Sequence, residues 1–562
     1  MKIIKNIMVE MQDGIKLATD LYIQDPDLSY PVLVNRTPYN KDLVDLKKEV
    51  EAYVEAGYAV VIQDVRGRYH SEGLFEAHQR EIEDGRDCFQ WLIRQSWCNG
   101  KIGTFGKSYH GGTQYFSAMN DPEGLKAMVP VVCFDDMFNG CCYQDGAKVL
   151  HDLRWTVANI VPDIMERARN NGEEVVEEIP EVYHCLDDIP VATDPAVQKY
   201  GKYYIDWITH DTDDDFWKRI SFKRNYDQIK VPAMNVSGWY DIFVPSTINN
   251  YKGMRKYGGS KEAREYTRLI MGPWSHVNFT GKMNGFDFGK DAHEDSFGLL
   301  KQEINWYNHF LKGEKLELDV NKPVNVFLMG KNKWLYEEDW PLADTKYIPY
   351  YFHSNGKAHQ THSELNRLPP QKEETDLITY DPFDPTPTIG GGVILPGENA
   401  IGPRDQREVE ERKDVLVFET ESLEEELTIV GNISADLYVS SDCLDSDLTV
   451  KVCDVFPDGV SMLLCDGILR LRYRDSFEKP ELLVPDQIYK VKVNVQAIAN
   501  TFLKGHKVRV SIASCNFPRF NRNSNSGKKI AFDQKEDYRV AHNTIYHDQD
   551  HPSCIILPVV ER

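Results

Sequence analysis

The sequence has 562 residues, more than one hydrophobic core can organise, and this length predicts two to four domains. A hydrophobic content of 41% and a charged content of 27% indicate an ordinary globular protein. The formal net charge of −23 at pH 7 counts against non-specific binding to nucleic acid or to an anionic membrane.

The first residues predict a β-hairpin rather than a targeting segment. Polar and apolar residues alternate on both sides of a turn signal at Asp13–Gly14, and no apolar run there is long enough for a signal peptide. The longest apolar runs, such as residues 127–134, are too short to span a membrane. The 11 cysteines include no C-x-x-C pair, which favours reduced thiols and a cytoplasmic location over disulfides or a structural zinc site.

Within a first segment of residues 1–135, residues 31–135 alternate short apolar runs with amphipathic stretches. The runs are apolar at nearly every position, which is typical of strands buried on both faces of a sheet. Residues 80–95 place their apolar side chains on one stripe at helical spacing. This alternation predicts a parallel sheet with crossover helices, with strands at residues 31–35, 58–65, 101–106 and 125–132.

Two changes of pattern divide the rest of the chain. Residues 136–225 are polar, aromatic and helical in character and predict a helical insertion, after which strand patterns return within residues 226–335. From 336 to 562 several segments alternate strictly between polar and apolar residues and are separated by turn signals. This second pattern predicts half-buried antiparallel strands, among them residues 448–456, 488–495 and 506–514, which form a β-sandwich arranged as a jelly roll.

The stretch GKSYHGG, residues 106–112, follows one of the predicted strands. Glycines close to a serine allow the sharp strand-to-helix turn that exposes a nucleophile, and Gly106 and Gly111 flank Ser108 in this way. The usual motif has its second glycine two positions after the serine, where this chain has His110. The motif alone therefore does not separate a nucleophile from an ordinary loop serine.

An acid and a histidine follow later strands in the required order. Asp241 comes after the strand pattern of residues 232–236, and His276 comes after that of residues 269–271. Carboxyl ends of parallel strands meet at one edge of a sheet, so we expect these side chains to approach Ser108. The prediction is a triad in which Ser108 is the nucleophile, His276 the base and Asp241 the group that orients the imidazole.

An oxyanion hole needs two donors near the nucleophile. The backbone N–H of Tyr109 is one candidate, and the phenol of Tyr39, in the loop after the first buried strand, is the other. The less favoured alternative for Tyr39 is a core aromatic. His110 is interpreted as a structural residue that points away from the site. Asp64 is expected to pair with Arg66 and brace the carboxyl edge of the sheet.

Six segments together resemble the bacterial cocaine esterase family, whose superfamily includes X-prolyl dipeptidyl peptidases. They are NRTPYNK (35–41), VIQDVRGRYHSEG (61–73), GKSYHGG (106–112), GWYDIF (238–243), GPWSH (272–276) and VFPDG (455–459). The resemblance implies an α/β-hydrolase core, an inserted helical cap and a C-terminal jelly roll. It also implies the same triad and oxyanion hole, an acyl pocket lined by Trp155 and Phe243, and a remaining wall formed near Ile394 and Leu395.

Two departures from the family pattern concern the pocket. Residues 138–148 contain no Trp where the esterases would suggest one, which predicts a roomier or differently shaped pocket. Residues 241–244 lack the carboxylates that related α-amino-acid ester hydrolases use to hold an ammonium group.

These features predict a serine hydrolase that cleaves carboxylic esters through an acyl-enzyme and needs no metal or cofactor. The alternative is an X-prolyl dipeptidyl aminopeptidase or amidase with the same triad, for which Asp145 and Asp152 are the candidate ammonium anchors. A non-catalytic carbohydrate-binding protein is a third hypothesis, which the complete triad disfavours. The expected partners are a small ester or a short peptide or amide, without nucleic acid or membrane, and a homodimer is left open.

Overall fold

The computed structural model describes residues 1–43, 46–178, 181–395 and 401–561. Strands and helices alternate at the start of the chain, because apolar runs of strand length are separated by amphipathic stretches. The strands are β1 (Lys2–Glu10), β2 (Lys16–Ile23), β3 (Tyr30–Thr37), β4 (Ala59–Asp64), β5 (Cys98–Lys107) and β6 (Leu125–Val131). The helices are α1 (Lys47–Glu55), α2 (Glu81–Leu92) and α3 (Tyr109–Ala118).

A mainly helical segment follows β6 and leads back to the sheet. It contains a short ribbon of β7 (Tyr143–Gln144) and β8 (Ala147–Lys148), then α4 (His151–Trp155), a π-helix (Thr156–Ile160), α5 (Val161–Asn170), α6 (Val182–Asp187), α7 (Pro195–Tyr200), α8 (Lys202–Thr209), α9 (Asp215–Lys218) and a 3-10 turn (Tyr226–Gln228). We call residues 136–225 the cap. The sheet then resumes with β9 (Met234–Tyr240), α10 (Val244–Tyr257), α11 (Lys261–Tyr266) and β10 (Arg268–Ser275).

The remaining elements complete the first sheet and build the second. They are β11 (Lys282–Met283), β12 (Phe286–Asp287), α12 (Glu294–Phe297), α13 (Leu299–Tyr307), a π-helix (Asn308–Lys312), β13 (Val324–Leu328), β14 (Lys333–Glu337), β15 (Lys346–His353), β16 (Ser363–Asn366), β17 (Asp376–Tyr380), α14 (Arg407–Glu410), β18 (Leu416–Glu419), β19 (Leu427–Ser441), β20 (Asp447–Val455), β21 (Ser461–Arg470), β22 (Tyr489–Phe502), β23 (Lys507–Ala513), β24 (Ala541–Tyr546) and β25 (Cys554–Val559). Single 3-10 turns lie at 290–292, 471–473, 530–532 and 535–537.

The first sheet has ten strands in the described chain, in the order β1-β2-β4-β3-β5-β6-β9-β10-β13-β14. Its centre, from β4 to β13, is parallel, and the antiparallel β1–β2 hairpin predicted around Asp13–Gly14 forms one edge. Strands such as β4, in which every residue is buried, carry apolar side chains toward helices on both faces. The parallel arrangement brings the carboxyl ends of β3, β5, β9 and β10 to the same edge.

The second sheet system follows the first and contains eleven strands of the described chain. Nearly all of its pairs are antiparallel, and the longest pairs β19 with β22 along almost their whole length. β20 was expected to be half-buried, but all nine of its residues are buried. The polar face is covered because Lys451 donates to Gln406 Oε1 (3.1 Å) and Thr449 donates to the carbonyl of Ala513 (3.2 Å).

The sandwich packs directly against the first sheet. Met329, just after β13, forms a bridge with Asn500 of β22, and the Gln496 amide donates to the carbonyl of Trp239 at 3.1 Å. The fold class predicted from the sequence is confirmed, and the residue boundaries of the individual domains stay a prediction. No helix within the described ranges has the length and apolar character needed to cross a membrane.

Asp64 ends β4 at the carboxyl edge, but its predicted pairing with Arg66 is wrong. Its side chain accepts the backbone N–H of Lys41 at 2.7 Å. The chain turns after β4, at Gly67 with φ +70°, so the Arg66 guanidinium reaches Asp13 and Asp84 instead. Burial raises the pKa of Asp64 to about 7, although the bond from Lys41 opposes the shift.

The turn between β5 and α3 is tightly packed. Ser108 has φ +60°, a strained value for a residue with a side chain, and its N–H donates to the carbonyl of Val131 at 2.9 Å. Gly106 has φ +133°, and a Cβ atom there would lie 2.4 Å from Asn35 Nδ2 and 2.5 Å from His110 Cβ. Glycine at this position therefore lets α3 lie against β3.

We predict that Gly106→Ala destabilises the protein by about 3 kcal/mol, because it adds backbone strain and a steric clash. Gly100→Ala is the matched control, since Gly100 also has positive φ (+80°) in β5 but has open space around it. The control should cost about 1 kcal/mol, from strain alone. Denaturant midpoints compare the two variants, and equal shifts would contradict the steric explanation.

The raised pKa of Asp64 predicts a pH-dependent stability. Between pH 4 and 7 the folded chain keeps this proton while the unfolded chain loses it, so folding takes up a proton and stability declines as the pH rises. Asp64→Asn removes the titration. The unfolding free energy of the variant relative to wild type should increase by on the order of 3 to 4 kcal/mol across this interval.

Urea unfolding at pH 4, 5.5 and 7 measures this difference, and subtracting the variant cancels other groups that titrate in the same range. The control Asp27→Asn makes the same replacement at an exposed carboxylate. A pH dependence for Asp64→Asn no larger than that of this control would contradict the prediction.

Candidate active site

Ser108, His276 and Asp241 form a hydrogen-bonded chain at the carboxyl edge of the first sheet. Each of the three residues directly follows a strand of that sheet: Ser108 follows β5, Asp241 follows β9 and His276 follows β10. His276 Nδ1–H donates to Asp241 Oδ1 at 2.7 Å, which leaves Nε2 to accept the Ser108 hydroxyl at 2.8 Å. This arrangement allows the imidazole to take a proton from Ser108 Oγ.

The carboxylate of Asp241 is held on both sides. Asp241 is fully buried, and its second oxygen accepts the Ser237 hydroxyl at 2.6 Å. Gly392 of the C-terminal part packs so closely behind Asp241 that a Cβ atom there would lie 2.5 Å from the Asp241 carbonyl oxygen. The ring of Phe243 packs edge-on against His276, with 5.5 Å between ring centroids. These contacts fix the orientation of the acid and of the imidazole.

Tyr39 lies beside Ser108 with its hydroxyl held by the cap. Trp155 Nε1–H donates to Tyr39 Oη at 3.0 Å, so the phenol O–H remains able to donate. Burial raises the pKa of Tyr39 to about 12, and hydrogen bonds with Trp155 and Ser108 offset part of that shift. The phenol is therefore protonated at neutral pH. Tyr109 is the first residue of α3, and first-turn N–H groups have no partner within the helix.

The residues around Ser108 enclose a cavity of about 390 Å³. The sequence-predicted residues Tyr39, Trp155, Phe243 and Ile394 line it. Leu395 does not: it lies in the wall of a second cavity of about 660 Å³. Ile394 lines both cavities, as do His151 and Ile242.

Other residues of the cavity wall were not identified from the sequence. Cys141 belongs to the stretch that lacks a tryptophan, so a small side chain borders the cavity there. Five of the further wall residues are aromatic or imidazole side chains, namely His78, Phe134, His151, Trp207 and Phe279, and the others are aliphatic, polar or charged, namely Leu46, Glu49, Lys107, Arg154, Asn159, Ile242 and Val277. They come from separate loops and helices and share no motif, so the sequence carries no signal that groups them.

His110 faces the loop that carries Tyr39 rather than pointing away from the site. The Asn35 amide donates to His110 Nδ1 at 3.3 Å, so Nε2–H donates to Thr37 Oγ1 at 2.8 Å. Thr37 Oγ1 also accepts the backbone N–H of Tyr39 at 3.0 Å. Burial lowers the pKa of His110 to about 3, which keeps the imidazole neutral at physiological pH. His110 thus braces the Tyr39 loop.

The two candidate ammonium anchors already have partners. Asp152 lines the cavity, but Lys148 donates to its carboxylate and matches its charge. Asp145 lies in the second cavity and accepts the amides of Asn139 (3.5 Å) and Asn494 (3.3 Å). Neither Asp152 nor Asp145 therefore offers an unpaired carboxylate that could bind the ammonium group of a ligand beside Ser108.

Sequence comparison relates both halves of the chain to known families. The X-Pro dipeptidyl-peptidase (S15) family matches residues 13–278, and the X-Pro dipeptidyl-peptidase C-terminal non-catalytic domain matches residues 317–556. The chain is 36% identical over 574 aligned positions to the cocaine esterase of Rhodococcus sp. (strain MB1 Bresler), which covers 99% of this chain and 98% of that protein.

Two solved structures share this architecture over nearly the whole chain. An aminopeptidase from the marine sediment archaeon Thaumarchaeota archaeon has a TM-score of 0.84 at 24% identity and covers 100% of this chain and 96% of its own. An α-amino acid ester hydrolase has a TM-score of 0.81 at 26% identity, with 99% and 96% covered. At 36% identity over 99% of its length, the chain belongs to the cocaine esterase family, and it is a serine hydrolase.

Proposed function

We propose that this protein hydrolyses carboxylic esters through an acyl-enzyme formed on Ser108. The observation that carries the proposal is the chain of hydrogen bonds from Ser108 through His276 to Asp241, at 2.8 and 2.7 Å, beside the protonated phenol of Tyr39. The similarity to a cocaine esterase at 36% identity supports an ester as the substrate.

In the acylation step, Ser108 Oγ bonds to the ester carbonyl carbon and its proton passes to His276 Nε2. The carbonyl oxygen becomes an oxyanion that accepts the Tyr39 O–H and the Tyr109 N–H. The bond to the alkoxy oxygen then breaks, and the alcohol leaves with the proton from His276. Asp241 stabilises the imidazolium while it exists.

In the deacylation step, water attacks the acyl carbon and gives a proton to His276. The second tetrahedral intermediate uses the same two donors. The bond to Ser108 Oγ breaks, Ser108 recovers its proton from His276, and the carboxylic acid leaves. The cavity wall of Trp155, Phe243 and Phe134 suits an apolar acyl group at this stage.

The second candidate function is an X-prolyl dipeptidyl peptidase with the same triad. The match of residues 13–278 to the S15 family favours it. A peptide substrate of that kind brings a charged N-terminus, and the pairing of Asp152 with Lys148 counts against a dedicated anchor in the cavity. We therefore place the ester hydrolase first.

We also propose a cytoplasmic location without nucleic-acid or membrane partners. All 11 cysteines are free thiols and ten of them are buried, which supports a reducing compartment. The net charge of −23 supports the absence of polyanionic partners. The formation of a homodimer stays a prediction.

Two substitutions test the proposed roles at Ser108. Ser108→Ala should lower kcat by about 10⁶-fold, because no other residue replaces the nucleophile. Tyr39→Phe should lower kcat by about 10²- to 10³-fold, because it removes one oxyanion donor. Steady-state hydrolysis of p-nitrophenyl butyrate, corrected for the fraction of folded protein, measures both.

Tyr115→Phe is the matched control for the loss of a phenol O–H. Tyr115 is fully buried outside the cavity and donates to Asn235 Oδ1 at 2.6 Å, so its kcat should stay within about threefold of wild type. Normal esterase activity of Ser108→Ala would remove the nucleophile assignment. An activity of Tyr39→Phe equal to that of Tyr115→Phe would remove Tyr39 from the oxyanion hole.

A direct comparison of substrates decides between the two candidate functions. We expect short and aromatic acyl p-nitrophenyl esters to be hydrolysed with a far higher kcat/KM than Ala-Pro-p-nitroanilide. Because anilides are intrinsically less reactive, N-acetyl-Ala-Pro-p-nitroanilide is the control for recognition of the free amine. We expect less than tenfold discrimination between the two anilides. A large preference for the free amine, abolished by Ser108→Ala, would identify a dipeptidyl peptidase instead.

A further inference from the structure

The guanidinium of Arg68 connects the loop of Tyr39 with the cap. Arg68 is fully buried, and its Nε–H donates to the carbonyl of Pro38 at 2.9 Å. Its two terminal nitrogens donate to carbonyls of the π-helix in the cap, Nη1 to Ile160 at 3.0 Å and Nη2 to Asn159 at 2.7 Å. One side chain thus holds backbone from two parts of the fold.

The remaining donors of this guanidinium also face oxygen atoms. Nη1 lies 3.2 Å from Asp163 Oδ2, and Nη2 donates to the Tyr69 hydroxyl at 3.3 Å. Four of the five N–H groups of the guanidinium are hydrogen-bonded, and Asp163 lies within ion-pair distance of Nη1. Asp163 supplies the opposite charge that a buried cation needs. The ring of Phe75, at 5.3 Å, covers the face of the guanidinium.

The two held segments are those that position the Tyr39–Trp155 pair. Pro38 directly precedes Tyr39, and the π-helix of residues 156–160 directly follows Trp155. The indole of Trp155 donates to the phenol oxygen of Tyr39 at 3.0 Å. Arg68 therefore fixes the backbone next to Tyr39 and the backbone next to Trp155, the two residues that share the hydrogen bond that orients the phenol.

We propose that Arg68 is a positioning residue for the oxyanion hole, acting through Tyr39 and Trp155. This inference rests on the proposed function, in which the Tyr39 O–H stabilises the oxyanion. A preorganised donor is effective only within a few tenths of an ångström of the developing charge, so a shift of the cap relative to the Tyr39 loop lowers kcat. Arg68 prevents that shift.

Lysine cannot reproduce this role. Its ammonium group is a compact point charge with three donors, whereas the carbonyls of Pro38, Asn159 and Ile160 are met by the planar fork of a guanidinium. Arg68→Lys keeps the positive charge opposite Asp163 while losing the fork. The substitution thus separates the geometric role from the charge.

A double-mutant cycle with Tyr39→Phe tests the proposal. Esterase kcat is measured per active site, titrated with a fluorophosphonate, for wild type, Arg68→Lys, Tyr39→Phe and the double variant. We expect Arg68→Lys to lower kcat about 10- to 30-fold when Tyr39 is present and less than about threefold in the Tyr39→Phe background. Equal losses in both backgrounds would overturn the proposal, because a merely structural role does not depend on the phenol.

Arg167→Lys is the matched control. Arg167 donates to the carbonyls of Tyr69 (3.0 Å) and Ser71 (2.9 Å). It therefore holds the loop that contains Arg68, but these bonds do not involve Pro38 or the π-helix. We expect its kcat to stay within about twofold of wild type in both backgrounds. A loss as large as that of Arg68→Lys, confined to the background that contains Tyr39, would overturn the specific role of Arg68.

If Arg68→Lys does not fold, Trp155→Phe provides the second arm, because it removes the indole N–H that Arg68 supports. We expect its loss of kcat also to vanish in the Tyr39→Phe background, and an undiminished loss there would overturn the proposal. Tyr39→Phe measured alone separates the two levels of inference. Wild-type activity of that variant would remove Tyr39 from the proposed mechanism, whereas a normal Tyr39 effect with additive Arg68 losses would overturn only the role of Arg68.

Discussion

Ser108 adopts φ +60° between β5 and α3, a conformation that costs about 1 to 3 kcal/mol in a residue with a side chain. The surrounding backbone holds it there, because its N–H is bonded to Val131 and its carbonyl accepts the N–H groups of Gly111 and Gly112. The strain places the hydroxyl above the sheet edge, where the ends of β9 and β10 deliver the acid and the imidazole. Close packing at Gly106 is the condition for this turn, since a larger residue would displace Asn35 and the brace at His110.

A buried charge pair joins the cap to the core, because Arg68 of the core faces Asp163 of the cap at 3.2 Å. Within the cap, Lys148 pairs with Asp152 at the cavity wall. Below the turn, Arg36 pairs with Glu81 at 2.8 Å, and Glu81 accepts the phenol of Tyr109. Isolated charges at these depths would be strongly unfavourable, so each pair tolerates only one relative placement of the segments it joins. Charge pairing therefore fixes geometry more than it adds stability.

The sequence predicted the parts of the site that follow from sheet topology. Asp241 and His276 could be located because each directly follows a buried strand of a parallel sheet, and such ends converge. Trp207 and His78 could not, because helix and loop packing, rather than a motif, brings them to the cavity. The half-buried prediction for β20 failed for a related reason: alternation reports the polarity of a strand, but a segment distant in the chain, here the one that carries Gln406, can cover its polar face.

Four imidazoles surround the cavity, and their environments differ in one respect. Burial lowers the pKa of His78 and of His110 to about 3 and that of His151 well below 6.5, so all three stay neutral. Among these four in the described chain, His276 is the one paired with a carboxylate, Asp241 at 2.7 Å. An imidazolium is stabilised where that carboxylate lies and penalised at the other three positions. The same burial that excludes water thus restricts proton transfer to a single histidine, beside Ser108.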